Sequence, residues 1–393
     1  MRALTLCAIL LASFVVSPTV VGEEAAVRPA THEIAVAPPA EKKPRIEVAL
    51  LLDTSGSMSG LINQARTKLW RIVNEFEAAR RDGKRADVYV ALYEYGNDSV
   101  PADKGHIRQV VPLTLDLDKI SEELFALTTN GGSEYCGQVI EQAVRELKWS
   151  DEKADLRCIF IAGNEPFTQG SVDYKDACHA AANKNITVST IHCGDYDTGV
   201  NTQWADGAKL ADGSYMNIDS DRVEPHIVAP QDEQLAELNK KLNSTYCAYG
   251  GEEERQVAAA RQEAQDTNAA KAAPAVSSLR TLSKAGRLYR NSNWDLVDAV
   301  EEKKVDLAKI EKNQLPEELR EMSTEELQAH VKKLADQRAE IQQKIKSLGA
   351  ERAEYVAAER AKLAEEGVDA LDDAIVESVR KQATANSFEF VEE

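Results

Sequence analysis

The sequence lacks several features that would each define a class of protein. It has 66 acidic against 47 basic residues, a formal net charge of −19. It therefore lacks the basic excess that nucleic-acid phosphates require, and we expect no nucleic-acid partner. No C-x-x-C pair is present, which argues against a zinc knuckle. No Walker loop, H-E-x-x-H or G-x-G-x-x-G sequence occurs either, and Met58 replaces the serine that a G-x-S-x-G nucleophile elbow needs. We therefore predict that the protein is not an enzyme.

Long apolar runs are also scarce. The run from Leu4 to Val16 is too short for a standard transmembrane helix, and no other candidate span appears. It follows one early positive charge and precedes small residues near Gly22, as in a secretory signal peptide. We predict a signal peptide over 1–22 and a flexible, proline-rich tether over 23–44. The mature protein is then exported: periplasmic, on the cell surface or secreted. An uncleaved signal anchor would be its one attachment to a membrane.

Cysteine is infrequent, with six residues in the chain. One lies in the predicted signal peptide. The five that remain are Cys136, Cys158, Cys178, Cys193 and Cys247. An odd number in an exported protein implies at least one free or intermolecular thiol, and the sequence leaves the pairing open.

Apolar strand-like runs alternate with amphipathic helices from residue 45 to about residue 250. This alternation predicts an α/β domain with a doubly wound, mostly parallel sheet covered by helices on both faces. A helix is expected over about 59–81, after the first strand, and a short antiparallel edge strand over 107–113. Residues 251–393 differ in composition and predict a helical extension.

A long helix begins at a capping-box pattern around Ser323. Its apolar positions follow in steps of four and three, interrupted by two arginines. The members of this seam are Leu327, Val331, Leu334, Arg338, Ile341, Ile345, Leu348, Arg352 and Tyr355. A coiled coil and a helical hairpin that folds on itself both fit the pattern. The coiled coil would make the protein a homo-oligomer through its C-terminal helices.

The most informative stretch is Asp53-Thr54-Ser55-Gly56-Ser57, directly after the apolar run 46–52. A carboxylate and two hydroxyls at alternate positions can direct three hard oxygens at one point. Such oxygens suit Mg²⁺, Mn²⁺ or Ca²⁺. Ligands of α/β proteins bind beyond the carboxyl ends of the strands, which is where Asp53 is expected to lie. We predict Asp53, Ser55 and Ser57 as metal ligands.

A strand, D-x-S-x-S, an amphipathic helix and a later Gly-Gly-hydroxyl turn together resemble the von Willebrand factor type A (VWA) domain. The resemblance covers about 45–250 and implies a Rossmann-like fold. Members of this family carry a metal-ion-dependent adhesion site (MIDAS) with a threonine on a second loop. The resemblance places Ser133, in Gly131-Gly132-Ser133, at the threonine's position, where its hydroxyl offers the same kind of oxygen.

The third element of the family's site departs from the pattern. The family typically has an aspartate after the central strand, but this chain has Gly163 there, in Ile161-Ala162-Gly163-Asn164. The next two residues, Asn164 and Glu165, are weaker candidates for ligands.

The resemblance implies an exported adhesion or scaffold module. Its divalent cation would bind a carboxylate offered by a protein partner. A degenerate domain that binds partners without metal, with Asp53 and Ser55 only fixing the loop, is the alternative. Cys136 as the nucleophile of a thiol enzyme is a further alternative, because a thiol near a helix start can have a lowered pKa. A cytosolic adaptor role is disfavoured by the signal peptide.

Overall fold

The structure is a computed structural model that describes residues 43–58, 62, 70–218, 227–365 and 371–390. The predicted signal peptide and nearly all of the predicted tether lie outside these residues. Among the described residues, no helix combines the length and the apolar character needed to cross a membrane.

Within the described ranges, nine strands form a large sheet and a small one. They are β1 (Arg45–Asp53), β2 (Ala79–Arg81), β3 (Lys84–Arg85), β4 (Asp87–Tyr95), β5 (Ile107–Thr114), β6 (Leu156–Gly163), β7 (Thr187–Cys193), β8 (Tyr215–Ile218) and β9 (Glu389–Phe390). The large sheet has the order β5-β4-β1-β6-β7-β8. All its neighbours are parallel except β4 and β5. The predicted parallel sheet and its antiparallel edge strand are both confirmed.

Helices cover both faces of this sheet. The helices of the described residues are α1 (70–77 in its described part), α2 (Leu117–Ala126), α3 (Cys136–Glu146), α4 (Tyr174–Asn183), α5 (Tyr196–Asn201), α6 (Trp204–Leu210), α7 (Asp232–Asn243), α8 (Glu252–Ala272), α9 (Pro274–Ala285), α10 (Leu296–Glu301), α11 (Thr324–Glu365) and α12 (Leu371–Ala385). Side chains of β1 alternate between two cores: Leu50 packs with α1 and α2, and Leu51 packs with α3, α4 and α6. Every residue from Ile46 to Asp53 is buried, as a central parallel strand requires.

The helical region beyond residue 250 shares the core of the sheet. Ala269 of α8, Val276 of α9 and Val379 of α12 belong to the same buried cluster as Leu50. The predicted boundary at residue 250 remains a prediction, but the apolar core continues past it.

The helix predicted over 59–81 ends earlier than expected. The structure describes helix at residue 62 and over 70–77, after which Ala79–Arg81 forms β2. This strand pairs antiparallel with β9, which lies near the other end of the described chain. A local sequence pattern cannot reveal a partner so distant, so the predicted helix end was wrong.

The apolar seam of α11 is covered by helices of the same chain. Leu327 and Val331 are buried in a cluster with α10, and Ile345 is buried in a cluster with α7 and α9. The two interrupting arginines are buried in ion pairs: Arg338 with Asp295 and Asp298, at 2.7 Å each, and Arg352 with Asp232, at 2.6 Å. Neither a coiled coil nor a self-folded hairpin describes this packing.

Candidate metal centre

The first loop of the site leaves the carboxyl end of β1 at Asp53. The Thr54 N–H donates to the Tyr95 carbonyl (2.9 Å), and this fixes the loop to the end of β4. The chain then makes a short 3₁₀ turn over Gly56–Met58. Within the loop, the Ser55 N–H donates to Asp53 Oδ1 (2.7 Å). One oxygen of the carboxylate therefore stabilises the loop.

The two hydroxyls of the motif lie together and reach a third loop. Ser55 Oγ and Ser57 Oγ are 2.9 Å apart, and Ser57 Oγ donates to Asn164 Oδ1 (3.1 Å). Ser55 is buried, whereas Ser57 is exposed. The structure thus places three of the predicted ligand residues in one hydrogen-bonded chain that opens to solvent at Ser57.

A second loop, 128–134, joins the first through backbone hydrogen bonds. Gly56 N–H donates to the Gly131 carbonyl (2.9 Å), and Asn130 N–H donates to the Thr54 carbonyl (3.0 Å). Ser133 is half-buried, and its backbone bridges Gly96 at the end of β4. The predicted second loop therefore adjoins the first, and a ligand role for Ser133 remains a prediction.

Glu134 is a site residue that the sequence analysis missed. It is buried. Gly96 shows how close it lies to Asp53: a β carbon at Gly96 would be 2.8 Å from Asp53 Oδ1, 2.9 Å from Glu134 Cγ and 3.6 Å from Ser55 Cβ. No motif marks Glu134, and its one sequence signal is an acidic residue directly after Ser133.

Burial raises the affinity of both carboxylates for protons, whereas their contact with each other raises the pKa of Asp53 and lowers that of Glu134. Burial, and then the charge of Glu134, raise the pKa of Asp53 from its ordinary 3.8 to about 9. Burial also raises the pKa of Glu134, and the nearby Glu165 acts in the same direction. Asp53 Oδ2 is buried and accepts no hydrogen bond, and the contact between the Asp53 and Glu134 carboxyl groups is a hydrogen bond only when one of the two carries a proton. An unpaired buried carboxylate oxygen is costly, so a group that satisfies it would be strongly favoured.

The residues present fit a hard divalent cation. Among the described residues, the main influences on the pKa values of Asp53 and Glu134 include no lysine or arginine. No group of three or more histidine, cysteine, aspartate or glutamate side chains in the described chain has metal-binding geometry. The fit therefore depends on mixed oxygens: carboxylates from Asp53 and Glu134, and hydroxyls from Ser55 and Ser57. Such a set suits Mg²⁺ or Mn²⁺.

Glu165 lies at the margin of this cluster. Its carboxylate accepts a hydrogen bond from Gln169 Nε2 (3.3 Å), and its charge influences Glu134. Its main-chain carbonyl accepts from Trp204 Nε1 (2.9 Å). These contacts hold Glu165 beside the site.

Cys136 lies beneath the site as a packing residue. It is fully buried, with Sγ 3.7 Å from the Tyr95 hydroxyl, and burial raises the pKa of its thiol well above the usual value. The lowered pKa expected for a thiol nucleophile at this helix start was wrong, because desolvation dominates there. The five cysteines of the described chain are all free and buried.

The sequence model of the von Willebrand factor type A domain matches residues 47–210. The chain contains a VWA domain. Solved structures with similar folds include BatB, a conserved hypothetical protein from Bacteroides thetaiotaomicron (19% identity, 44% of this chain, 90% of that chain, TM-score 0.35). The SpRpn10 VWA domain is another (15% identity, 45% and 89%, TM-score 0.34). A third is proximal thread matrix protein 1 from the mussel byssus, solved with zinc in its MIDAS motif (10% identity, 46% and 43%, TM-score 0.34). No curated protein sequence matches the chain.

Proposed function

We propose that this VWA domain is an exported protein-binding module that holds a divalent cation, Mg²⁺ or Mn²⁺, at the carboxyl edge of its sheet. The observation that carries this proposal is the buried, unpartnered Oδ2 of Asp53 beside a second carboxylate and two hydroxyls. In a degenerate domain, where Asp53 only fixed its loop, burial would favour full satisfaction of both oxygens.

The exposed side of the site is where a partner would bind. Asp53 and Ser55 are buried, so they would hold the cation from below, whereas Ser57 reaches solvent. A divalent cation in this place would attract an anionic group, and a carboxylate of a partner protein is the ligand we propose. The residues of this chain would orient the ion and exclude water from its buried side.

An apolar surface adjoins the third loop, and it favours a protein as the partner. Tyr196 and Val200 of α5 are large apolar side chains that are 55% and 40% exposed. They lie near the site because His192 connects α5 to Asn164. Its Nε2 is 3.3 Å from the Asn164 carbonyl oxygen, and a β carbon at Gly199 would be 2.7 Å from its ring. Exposed aromatic residues beside a polar centre are typical of protein interfaces.

Calorimetric titration with Mg²⁺ and Mn²⁺ tests the metal part of this proposal. We expect heat of binding with the wild type and none with Asp53→Ala. Asp176→Ala, which removes an exposed aspartate from α4, is the matched control and should bind as the wild type does. Equal heats for the wild type and Asp53→Ala would contradict the proposed metal site and favour a degenerate domain, in which Asp53 only fixes its loop.

The partner part is tested by affinity capture from extracts of the source organism. A protein held by the immobilised wild type in Mg²⁺ should be released by EDTA and not held by Asp53→Ala. Replacement of single surface aspartates and glutamates of that protein by alanine should identify the carboxylate. A captured protein that is retained in EDTA would contradict cation-assisted binding.

Export is tested separately by N-terminal sequencing of the protein from each cellular compartment. We expect a mature chain that begins close to Glu23 and is found outside the cytoplasm. Recovery of the full-length, uncleaved chain from the cytosol would contradict this part and revive the adaptor alternative. Self-association through the α11 seam is not part of the proposal, because the chain itself covers that seam.

A further inference from the structure

The third loop of this site has no room for the aspartate that the VWA resemblance would place there. A β carbon on Gly163 would overlap the Tyr95 hydroxyl and lie 3.0 Å from Trp204 Cη2 and 3.3 Å from Asp53 Cβ. That hydroxyl is held in place because it donates to the Ala162 carbonyl (2.9 Å). Tyr95 and Trp204 are both fully buried, so neither can move aside easily. The missing carboxylate is thus excluded by packing.

A carboxylate is nevertheless present, and it arrives from the second loop. Glu134 is 2% exposed and shares the space around Gly96 with Asp53. The Glu134 backbone is fixed, since its N–H donates to Gln169 Oε1 (3.2 Å). The Ser55 side chain and the Glu165 N–H are both close enough to stabilise its charge. Several independent contacts therefore hold the side chain beside the Asp53 carboxylate.

We infer that Glu134 is a metal ligand of this site and takes the role of the carboxylate that Gly163 cannot provide. This inference deepens the proposed function, on which it rests. With the ion bound in place of the Asp53 proton, Asp53 and Glu134 would together carry two negative charges, which balance those of a divalent cation within the chain. The ion would then stay bound before any partner arrives, and the exposed side at Ser57 would stay open for one.

Titration with Mn²⁺ alone tests this inference on four forms of the full chain: wild type, Glu134→Gln, Glu165→Gln and Ser133→Ala. Glutamine keeps the size of the side chain and removes its charge. We expect Glu134→Gln to raise the Kd by at least about tenfold, the lower limit for residues that only support a metal ligand. Glu165→Gln removes an equal charge from a half-buried carboxylate that Gln169 holds at the margin of the site, and it should change the Kd less than threefold because this carboxylate acts on the ion only from a distance.

Thermal unfolding distinguishes a ligand from a packing residue. Without divalent ions, Glu134→Gln should melt at a higher temperature than the wild type, because it removes a buried charge that no arginine or lysine among its main influences balances. Saturating Mn²⁺ should raise the melting temperature of Glu134→Gln by less than it raises that of the wild type. A purely structural Glu134 would instead give a lower melting temperature without metal.

The outcomes separate this inference from the proposed function. A wild type that binds no Mn²⁺ would overturn both. A wild type that binds Mn²⁺ with an unchanged Kd for Glu134→Gln would overturn the inference alone. Equal losses for Glu134→Gln and Glu165→Gln would also overturn it, because a diffuse negative field would then explain the binding. A changed Kd for Ser133→Ala would support the predicted hydroxyl ligand without replacing Glu134.

Discussion

The helices beyond residue 250 and the loops at the carboxyl edge of the sheet both contain buried aspartate or glutamate side chains. Arg280 of α9 pairs with Asp266 of α8 (2.6 Å) and with Asp118 of α2 (2.7 Å), and Lys284 also pairs with Asp266 (2.8 Å). Burial alone would raise the pKa of Asp266, but these two cations hold it well below its ordinary range.

Carboxyl groups at the carboxyl edge of the sheet show the opposite pKa shift. Asp53 and Glu134 are more deeply buried than Asp266, and burial raises both pKa values because no arginine or lysine is among the main influences that oppose it. The helical region supplies its own cations from the described chain, whereas the loops do not. The difference teaches that burial of acidic residues in this protein is structural where an arginine or lysine accompanies it. Where none does, as at Asp53 and Glu134, we propose that an external cation takes its place.

The largest expected effect comes from removing a cation of the helical region. Arg280→Met leaves Asp118 and Asp266 buried with less compensation, and we expect a loss of about 3–5 kcal/mol in the free energy of unfolding. Chemical denaturation measures it. Arg145→Met, which breaks an exposed pair with Glu146, is the control and should stay within about 0.5 kcal/mol of the wild type. A small loss for Arg280→Met would remove the contrast between the two regions.

The pH dependence of the metal-free protein should differ between the two regions. Folded Asp53 keeps its proton between its ordinary pKa of 3.8 and about 9, whereas unfolded Asp53 releases it. Stability should therefore fall as pH rises through this window, by up to about 1.4 kcal/mol per pH unit. The lowered pKa of Asp266 has the opposite effect. Its contribution to the stability of the protein is lost as pH falls toward the pKa of Asp266 in the folded state.

Urea denaturation at several pH values measures this dependence. Asp53→Asn should remove most of the decline toward high pH, and saturating Mg²⁺ should remove it in the wild type. A wild-type stability that stays level from pH 4 to pH 9 in EDTA would show that burial and Glu134 do not raise the pKa of Asp53 in the folded protein.

A smaller effect is expected from restoring the family's aspartate. Gly163→Asp should destabilise the protein by about 1–3 kcal/mol, because the added side chain overlaps the Tyr95 hydroxyl. The double variant with Tyr95→Phe removes that hydroxyl and should recover part of the loss. Thermal unfolding without metal measures both. A Gly163→Asp variant as stable as the wild type would mean that packing does not exclude the aspartate.

The smallest effect is expected from an exposed pair on α11. Lys332 contacts Asp336 (2.8 Å) one helical turn away, and both side chains are mostly exposed. Lys332→Ala should cost about 0.3–0.5 kcal/mol at low salt and less at high salt. Chemical denaturation at two salt concentrations measures it. A loss comparable to that of Arg280→Met would show that burial does not set the scale of these ion pairs.

Sequence reasoning predicted the parts of this molecule that local patterns determine. The buried run before Asp53 predicted a central strand, and alternation along the chain predicted the parallel sheet. The D-x-S-x-S spacing placed Asp53, Ser55 and Ser57 in one loop, which the structure bears out, whereas their role as ligands remains a proposal.

The rest depends on contacts between distant residues. Glu134 has no motif, and only the packing around Gly96 reveals its neighbours. The heptad-like seam of α11 was misread because a helix that packs on its own chain and one that packs on a second copy need the same apolar spacing. Its arginines mark the difference, since Arg338 and Arg352 meet aspartates of this chain.

The pairing of β9 with β2 has a consequence for biosynthesis. Phe388, just before β9, is buried in the core beside the sheet. When β1 to β8 have been synthesised, the core beside them therefore still lacks a side chain that follows later in the chain. Nascent protein would expose an unfinished apolar face until translation has passed β9, and during that interval a chaperone or a translocation channel could hold it unfolded.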